Sequence, residues 1–338
     1  MSNIIRCAIL LILLLPRGCY APDPSPLSPL KHRATGSSPE KIALYEAWFG
    51  HPRHISVGYS SHDTVTIKNQ IGKAKAMGIS AFVVDWYGSR EPFIETSYSM
   101  MQKTAASKGF KIAMMYDESN DEDGATDEAI ADFKMFHDTY LSPGSPGLRA
   151  YLSYEGRPLI FVFPKGGHTD WNKVRAAVDK WSTPPLLIQE NLPAAYAEAF
   201  DGFYAWISPG EKGWAADGSN WGEQYLSEFY QTMREKYSDK IIVGGVWPGF
   251  DDSKASWGLN RRMSPRCGQT FADTSNLWHK YFAAPDIPPF VMVETWNDHE
   301  EGTAIEDGIP TCGPGGAEHS VVPADTKSTT PKDKKQGE

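Results

Sequence analysis

Eight short apolar runs punctuate the chain, at residues 42–48, 80–86, 110–116, 158–163, 185–189, 202–207, 240–247 and 289–295. Each is rich in β-branched or aromatic residues and nearly uninterrupted, the pattern of strands buried on both faces in a parallel sheet. Parallel neighbours need crossover connections, and the segments between the runs carry helical spacing. Between the first two runs Asp63 stands at an N-cap position. Ile67, Ile71, Ala74 and Met77 follow at helical intervals, and Gly78 is placed to stop the helix. Residues 128–140, 168–181 and 222–237 show similar patterning, whereas only 193–200 are available between the fifth and sixth runs. Strand–helix alternation repeated eight times favours one closed (β/α)8 barrel, an α/β fold, over an open doubly wound sheet. An open sheet calls for a glycine-rich phosphate loop after its first strand, and Trp48-Phe49-Gly50-His51-Pro52 is not one.

The flanks differ from this body. Residues 1–21 read as an export signal: Arg6 supplies the positive start, and Ala8 to Leu15 are apolar but too few to span a bilayer. The expected destination is secreted, cell-surface or periplasmic. Cys19 after Gly18 offers a lipid-anchor alternative, although Pro16 and Arg17 are poor neighbours for that processing and Pro22 disfavours cleavage after Ala21. Residues 22–40, with Pro22, Pro24, Pro26, Pro29 and Pro39, read as an extended tether. Residues 313–338 are Gly-, Thr-, Lys- and Pro-rich and read as a disordered tail. This leaves 41–312 as one continuous domain, expected to be monomeric, with no later segment apolar enough to cross a membrane. Cys7 lies in the signal, so Cys267 and Cys312 are the pair that certainly remains. Export and their placement in adjacent top-face loops favour a disulfide. The net charge of −9 becomes more negative once Arg6 and Arg17 leave, and no basic stripe interleaves with aromatics, which argues against a nucleic-acid partner.

In a barrel of this kind the site sits at the C-terminal ends of the strands. Reading outward gives Glu46 and Trp48 after the first run, Asp85-Trp86-Tyr87 after the second and Tyr116-Asp117-Glu118 after the third. Gln189-Glu190-Asn191 follows the fifth run and Trp206 ends the sixth; Trp247 with Asp251-Asp252 follows the seventh, and residues 294–301 the eighth. Acids and tryptophans thus converge on one rim from distant parts of the sequence. The chain has eleven Trp and fifteen Tyr, and amphipathic rings suit stacking on sugar faces as well as core packing. At least three of Trp48, Trp86, Trp206, Trp247 and Trp296 are expected to line one cleft. Plainer roles stand beside these: Asp85 as a cap or ion-pair partner, Asp121-Glu122-Asp123 as a solvated run, Asp251 and Asp252 as turn residues. The acids lack EF-hand spacing, there is no Cys-x-x-Cys or Cys/His cluster, and neither His62 nor His299 has a helical His partner. No metal or cofactor is called for, and His299 reads as a sugar-contacting or loop-organising donor.

The segment Thr295-Trp296-Asn297-Asp298-His299-Glu300-Glu301-Gly302-Thr303-Ala304-Ile305-Glu306 resembles the Trp-Asn-Glu-Trp-x-Glu-Gly-Thr-x-Ile-Glu signature of glycoside hydrolase family 99, the endo-α-mannanases and endomannosidases. Its Thr-Trp-Asn-Asp opening is also similar to the family 71 α-1,3-glucanases. Further resemblance lies in Tyr45-x-x-Trp48-Phe49-Gly50, in Ile67-x-x-Gln70-Ile71 with Met77-Gly78-Ile79, in Val84-Asp85-Trp86-Tyr87-Gly88, and in Pro248-Gly249-Phe250-Asp251-Asp252 with Arg261-Arg262. It runs in order through residues 41–307. The resemblance implies an oligo- or polysaccharide substrate with α-linkages. It places Glu301 at the family's general acid/base and Asp298 at the Glu that deprotonates a neighbouring sugar hydroxyl. This chain departs from the signature in that shorter carboxylate and in His299-Glu300. Retention through an anhydrosugar and inversion through water are both open.

Glycosidic cleavage needs two unlike carboxyls, one kept protonated by burial and one ionised. Glu301 suits the first role and Asp298 the second. Tyr45, Trp48, Asp85, Trp86, Tyr116, Asp117, Glu118, Glu190, Trp206, Trp247, Asp252, Trp296, Asn297 and His299 are the candidate substrate contacts. A rival reading from another class is a glycan-binding barrel without catalysis. A metal-dependent hydrolase or phosphodiesterase would need a His/Asp cluster at strand ends, which the sequence does not show.

Overall fold

The computed structural model of the protein describes residues 28–118, 123–165, 167–193, 195–208, 214–312 and 318–320. The expected export signal, Cys19 included, lies outside the described residues. Eight parallel strands form the centre: β1 (Glu40–Tyr45), β2 (Ala81–Trp86), β3 (Lys111–Asp117), β4 (Arg157–Phe163), β5 (Leu186–Glu190), β6 (Gly202–Tyr204), β7 (Ile241–Val246) and β8 (Phe290–Val293). Each pairs with the next in sequence, and β8 returns to pair with β1, so the sheet closes into a barrel. All eight fall on the apolar runs. Their central residues are buried, as a strand covered by side chains inside and helices outside must be.

The connections follow the helical patterning. α1 (Thr64–Ala76) begins where Asp63 accepts hydrogen bonds from the N–H groups of Val65 and Thr66, and it buries Ile67, Gln70, Ile71 and Ala74. α2 (Pro92–Lys108), α3 (Ala125–Phe136), α4 (Trp171–Val178), α5 (Glu223–Lys236) and α6 (Gln269–Asn276) fill the other crossovers. Between β5 and β6 the described residues form a 3-10 turn, Ala197–Ala199, as the short connection requires. Among the described residues no helix is long and apolar enough to cross a membrane.

Two flanking expectations are corrected. Residues 28–39, read as part of a tether, dock on the barrel bottom: Leu30 is buried, its N–H donates to Asp286, and the N–H groups of Lys31 and Ala34 donate to the carbonyls of Ser238 and Ile287. An ion pair of 2.9 Å joins Arg33 to Asp286. A proline-rich composition reported extension but not the single apolar anchor, Leu30, that fixes it. At the other end, residues 318–320 of the expected tail pair antiparallel with Pro310–Cys312. The rest of that tail lies outside the described residues. Cys267 and Cys312 are bonded, joining the segment after β7 to the one after β8.

Candidate active site

Successive residues of a strand face opposite sides of its sheet, and this rule builds the site. At the C-terminal rim Leu44, Glu46 and Trp48 face inward from β1, Asp85 and Tyr87 from β2, Met115 and Asp117 from β3, and Phe163 and Lys165 from β4. With His54, Trp206, Trp257, Asp298 and Glu301 they line a cavity of about 350 Å³. The inward series keeps the two-residue period to the ends of the strands and carries acids; the residues between them face the helices.

The loop after β8 is held by its own backbone. Asp298 Oδ1 accepts the N–H groups of both Glu300 and Glu301 at 2.8 Å. Its carbonyl accepts those of Thr303 and Ala304, and its own N–H donates to Thr295 Oγ1 at 2.7 Å. Gly302 has φ +65° and lies against Asp251, whose backbone nitrogen would be 3.1 Å from any Cβ there. The Asp251 N–H donates to the Glu301 carbonyl at 2.8 Å, tying this loop to the one after β7. That second loop brings Trp257, whose indole Nε1 donates to Glu301 Oε1 at 2.8 Å. Asn297 and Glu46 exchange hydrogen bonds: the Glu46 N–H donates to Asn297 Oδ1 at 2.7 Å, and Asn297 Nδ2 donates to the Glu46 carbonyl at 2.9 Å. The β8 loop thereby fixes the place of Glu46 on β1.

Carboxyls outnumber cations around this cavity. Burial raises Glu46 well above the carboxylate range, and Asp85, Asp298 and Glu301 add to the rise. Burial pushes Asp85 up to about 8, with Asp117 adding to it while Tyr87, Lys165 and Glu46 oppose it. Asp117 is raised by burial to about 6 even though Lys165 stands 3.0 Å away. Glu190, at the edge of the same group, is pushed to about 8 by burial and by Asp117. Asp298 rises well above its usual range through burial and then Glu301, against its two backbone hydrogen bonds. Glu301 is raised by burial against the pull of Trp257 and Arg261. The wall therefore holds protons near neutral pH instead of a full set of negative charges.

The sequence profile described as glycosyl hydrolase family 71 matches residues 53–308. The chain belongs to glycosyl hydrolase family 71. Membership makes it a glycoside hydrolase. Among solved structures it is similar to a family 99 endo-α-mannosidase from Bacteroides thetaiotaomicron in complex with Bis-Tris-propane. That match has 18% identity and a TM-score of 0.59, and covers 83% of this chain and 91% of the other. A second structure of the endo-α-mannosidase from that organism matches at 18% identity and TM-score 0.58, covering 79% and 87%. A glycoside hydrolase-like protein matches at 14% identity and TM-score 0.59, covering 85% and 91%. At such identities the structural likeness shows the barrel alone. No curated protein matches the chain.

The family 71 chain brings together Asp298, Glu301, Asp85, Asp117, Trp48 and Trp206 from the sequence candidates, with Glu190 beside them. It turns others away, and strand alternation is the reason. Trp86, Tyr45 and Tyr116 are the outward neighbours of Asp85, Glu46 and Asp117. Trp86 Nε1 donates to Glu95, the Tyr45 hydroxyl to Gln70, and the Tyr116 hydroxyl to Asp132. Trp247 donates to the Trp221 carbonyl, and Trp296 is sealed against Phe82. Only two of the five tryptophans expected at the cleft line it. Glu118 accepts from the Lys165 N–H and the Thr169 hydroxyl, and Asp252 accepts from Arg261 and from the N–H groups of Leu259 and Arg261, so both organise loops. Asn297 is spent on Glu46. His299 bonds Glu306 at 2.7 Å outside the cavity.

Glu46, Tyr87, His54, Lys165 and Trp257 also line the cavity and stand outside the candidate contacts drawn from the sequence. For Glu46 and Tyr87 the signal was present, since each stands two residues along from an inward strand position. His54, Lys165 and Trp257 sit on loops, where no periodicity marks a direction. Glu300, adjacent to Glu301, points elsewhere: it accepts from the Ile55 N–H and pairs with His54 Nδ1 at 2.8 Å. By residue type and spacing His299, Glu306 and Asp307 could hold a metal ion, but Glu306 already bonds Gln70 and His299, and the group lies away from the cavity.

Proposed function

We propose that the cavity at the top of the barrel is the cleavage site, with Glu301 as general acid and Asp298 as the base or stabilising carboxylate. The observation that carries this is their placement: both carboxyls line one cavity from a single backbone-braced turn. Burial raises both carboxyls above their usual range, and Glu301 raises Asp298 further. Two fixed N–H donors stabilise negative charge at Asp298 Oδ1, whereas Glu301 has one side-chain donor, Trp257. The resemblance to the family 99 signature, which sets Glu301 at the general acid/base position, is what assigns the transferable proton to Glu301. That proton passes to the leaving glycosidic oxygen as that bond breaks, while Asp298 withdraws a proton from the attacking hydroxyl or stabilises positive charge at the anomeric carbon. Trp206 and Trp257 offer ring faces for the C–H face of a sugar, and Glu46, Asp85 and Asp117 offer acceptors for its hydroxyls. The apolar segment at the N-terminus supports an exported enzyme that meets its polysaccharide outside the cytoplasm.

Incubation with soluble α-glucans and α-mannans, followed by reducing-end detection, tests the reading. New reducing ends from an α-linked polymer are expected. Binding of such polymers without release of any reducing end would favour the non-catalytic barrel instead.

A further inference from the structure

Glu294, the residue that follows β8, carries a carboxyl that the proposed cleavage chemistry does not use. Its side chain is fully buried and reaches across β7 to the end of β6. Oε2 accepts the Ile207 N–H at 2.6 Å, while Oε1 has no hydrogen-bond partner among the described residues. The passage exists because Gly245 of β7 has no side chain: a Cβ there would stand 2.8 Å from Glu294 Oε1 and 3.2 Å from Ala205 Cβ. Burial lifts the carboxyl well above its ordinary range, against the pull of the Ile207 N–H and with Glu190 adding to the rise. A carboxyl enclosed with one oxygen unpaired costs stability that an apolar side chain of similar size would not. Stability alone does not account for an acid here.

What Glu294 holds is the residue after Trp206. Trp206 lines the catalytic cavity and meets Phe163 edge to face, with ring centroids 5.6 Å apart. Its own N–H donates to the Tyr225 hydroxyl at 3.2 Å, and that hydroxyl donates to Asn191. β6 ends at Tyr204, and past the Ala205 N–H, which still bonds Val243, these side chains take over from the strand ladder. The two amides that flank the Trp206 Cα are thus held by Tyr225 from α5 and by Glu294 from the end of β8.

From this geometry we infer that Glu294 is a positioning residue: through the Ile207 N–H it sets the direction of Trp206, the ring that a sugar meets on the β6 side of the cavity. The sugar rests on the proposed function, whereas the placing of the ring does not.

The experiment compares the full-length parent with Glu294→Gln, Glu294→Leu and Glu294→Met. The Gln variant keeps an uncharged acceptor for the Ile207 N–H at the same reach, whereas the Leu and Met variants fill the space and offer none. Emission from Trp206 is isolated as the difference between each protein and the same protein carrying Trp206→Phe. Its quenching by acrylamide is expected to match the parent in the Gln variant and to increase in the two apolar variants. KM for an α-linked polysaccharide is expected to rise about three- to tenfold in the apolar variants with kcat little changed, the pattern of a lost binding contact, and to stay parental in the Gln variant. Parental quenching or a parental KM in the apolar variants would overturn the inference. So would failure of both apolar variants to fold beside a folded Gln variant, since Glu294 would then serve the fold itself. If none of the proteins, the parent included, releases reducing ends, the proposed function fails, and the quenching alone decides whether Glu294 positions Trp206.

Discussion

Asp85, Asp117 and Glu190 lean on one cation, Lys165, and that imbalance has a consequence for stability. Their ordinary values are 3.8 for Asp and 4.5 for Glu, while in the fold burial lifts them to about 8, 6 and 8. Between those limits the folded chain binds more protons than the unfolded one. The slope of unfolding free energy with pH is then negative: stability is greatest near the unfolded pKa and declines as pH rises through the folded values. Tm is expected to fall between about pH 5 and pH 8, and Asp85→Asn is expected to flatten that fall. A Tm that climbs over this interval, or an equally steep fall in the variant, would show that these acids are charged in the fold. The same residues show what the sequence disclosed. Asp85 and Trp86 were both visible at a strand end, but only alternation decides which one faces the cavity, and it selects the acid.

At the scale of elements, the rim is assembled from loops that brace one another. The β8 loop carries Glu301, the β7 loop carries Trp257 to it, and the Asp251 N–H to Glu301 carbonyl bond joins them. The Cys267–Cys312 bond closes a span of 45 residues that contains β8 and its loop. Loop closure of that order stabilises by about 2–4 kcal/mol. Replacing both cysteines by serine is expected to lower the urea unfolding free energy by that amount, with the unfolding slope read alongside it. A double variant as stable as the parent would mean that the ribbon 310–312 and 318–320 already fixes this end. The strands and α1 were legible because period and capping are local: Asp63, Ile67 and Gly78 announce that helix without reference to anything else. The path of residues 252–261 was not legible. It depends on Asp252 gathering Arg261 and two backbone N–H groups, a contact whose partner the sequence does not name.

The described barrel carries the docked segment 28–34 against its bottom, beside the entrances to β7 and β8, and its top concentrates acids from β1, β2, β3, β5 and the β8 loop. Barrel closure was readable from eightfold alternation, and the Asp298–Glu301 pair from a motif. The remainder of the site needed the closed barrel, because Glu46, Lys165 and Trp257 meet only when first, middle and last strands come round to one rim. On the proposed function, Glu301 gives the proton to the leaving oxygen. The direct measurement is turnover of the full-length Glu301→Gln protein on an α-linked polysaccharide and on an α-glycoside with an activated phenolic leaving group. Turnover on the polysaccharide is expected to drop about 10²–10⁴-fold, while the activated glycoside, which needs no proton, retains most of its rate in the bond-breaking step. Near-normal polysaccharide hydrolysis by the Gln protein would contradict the claim.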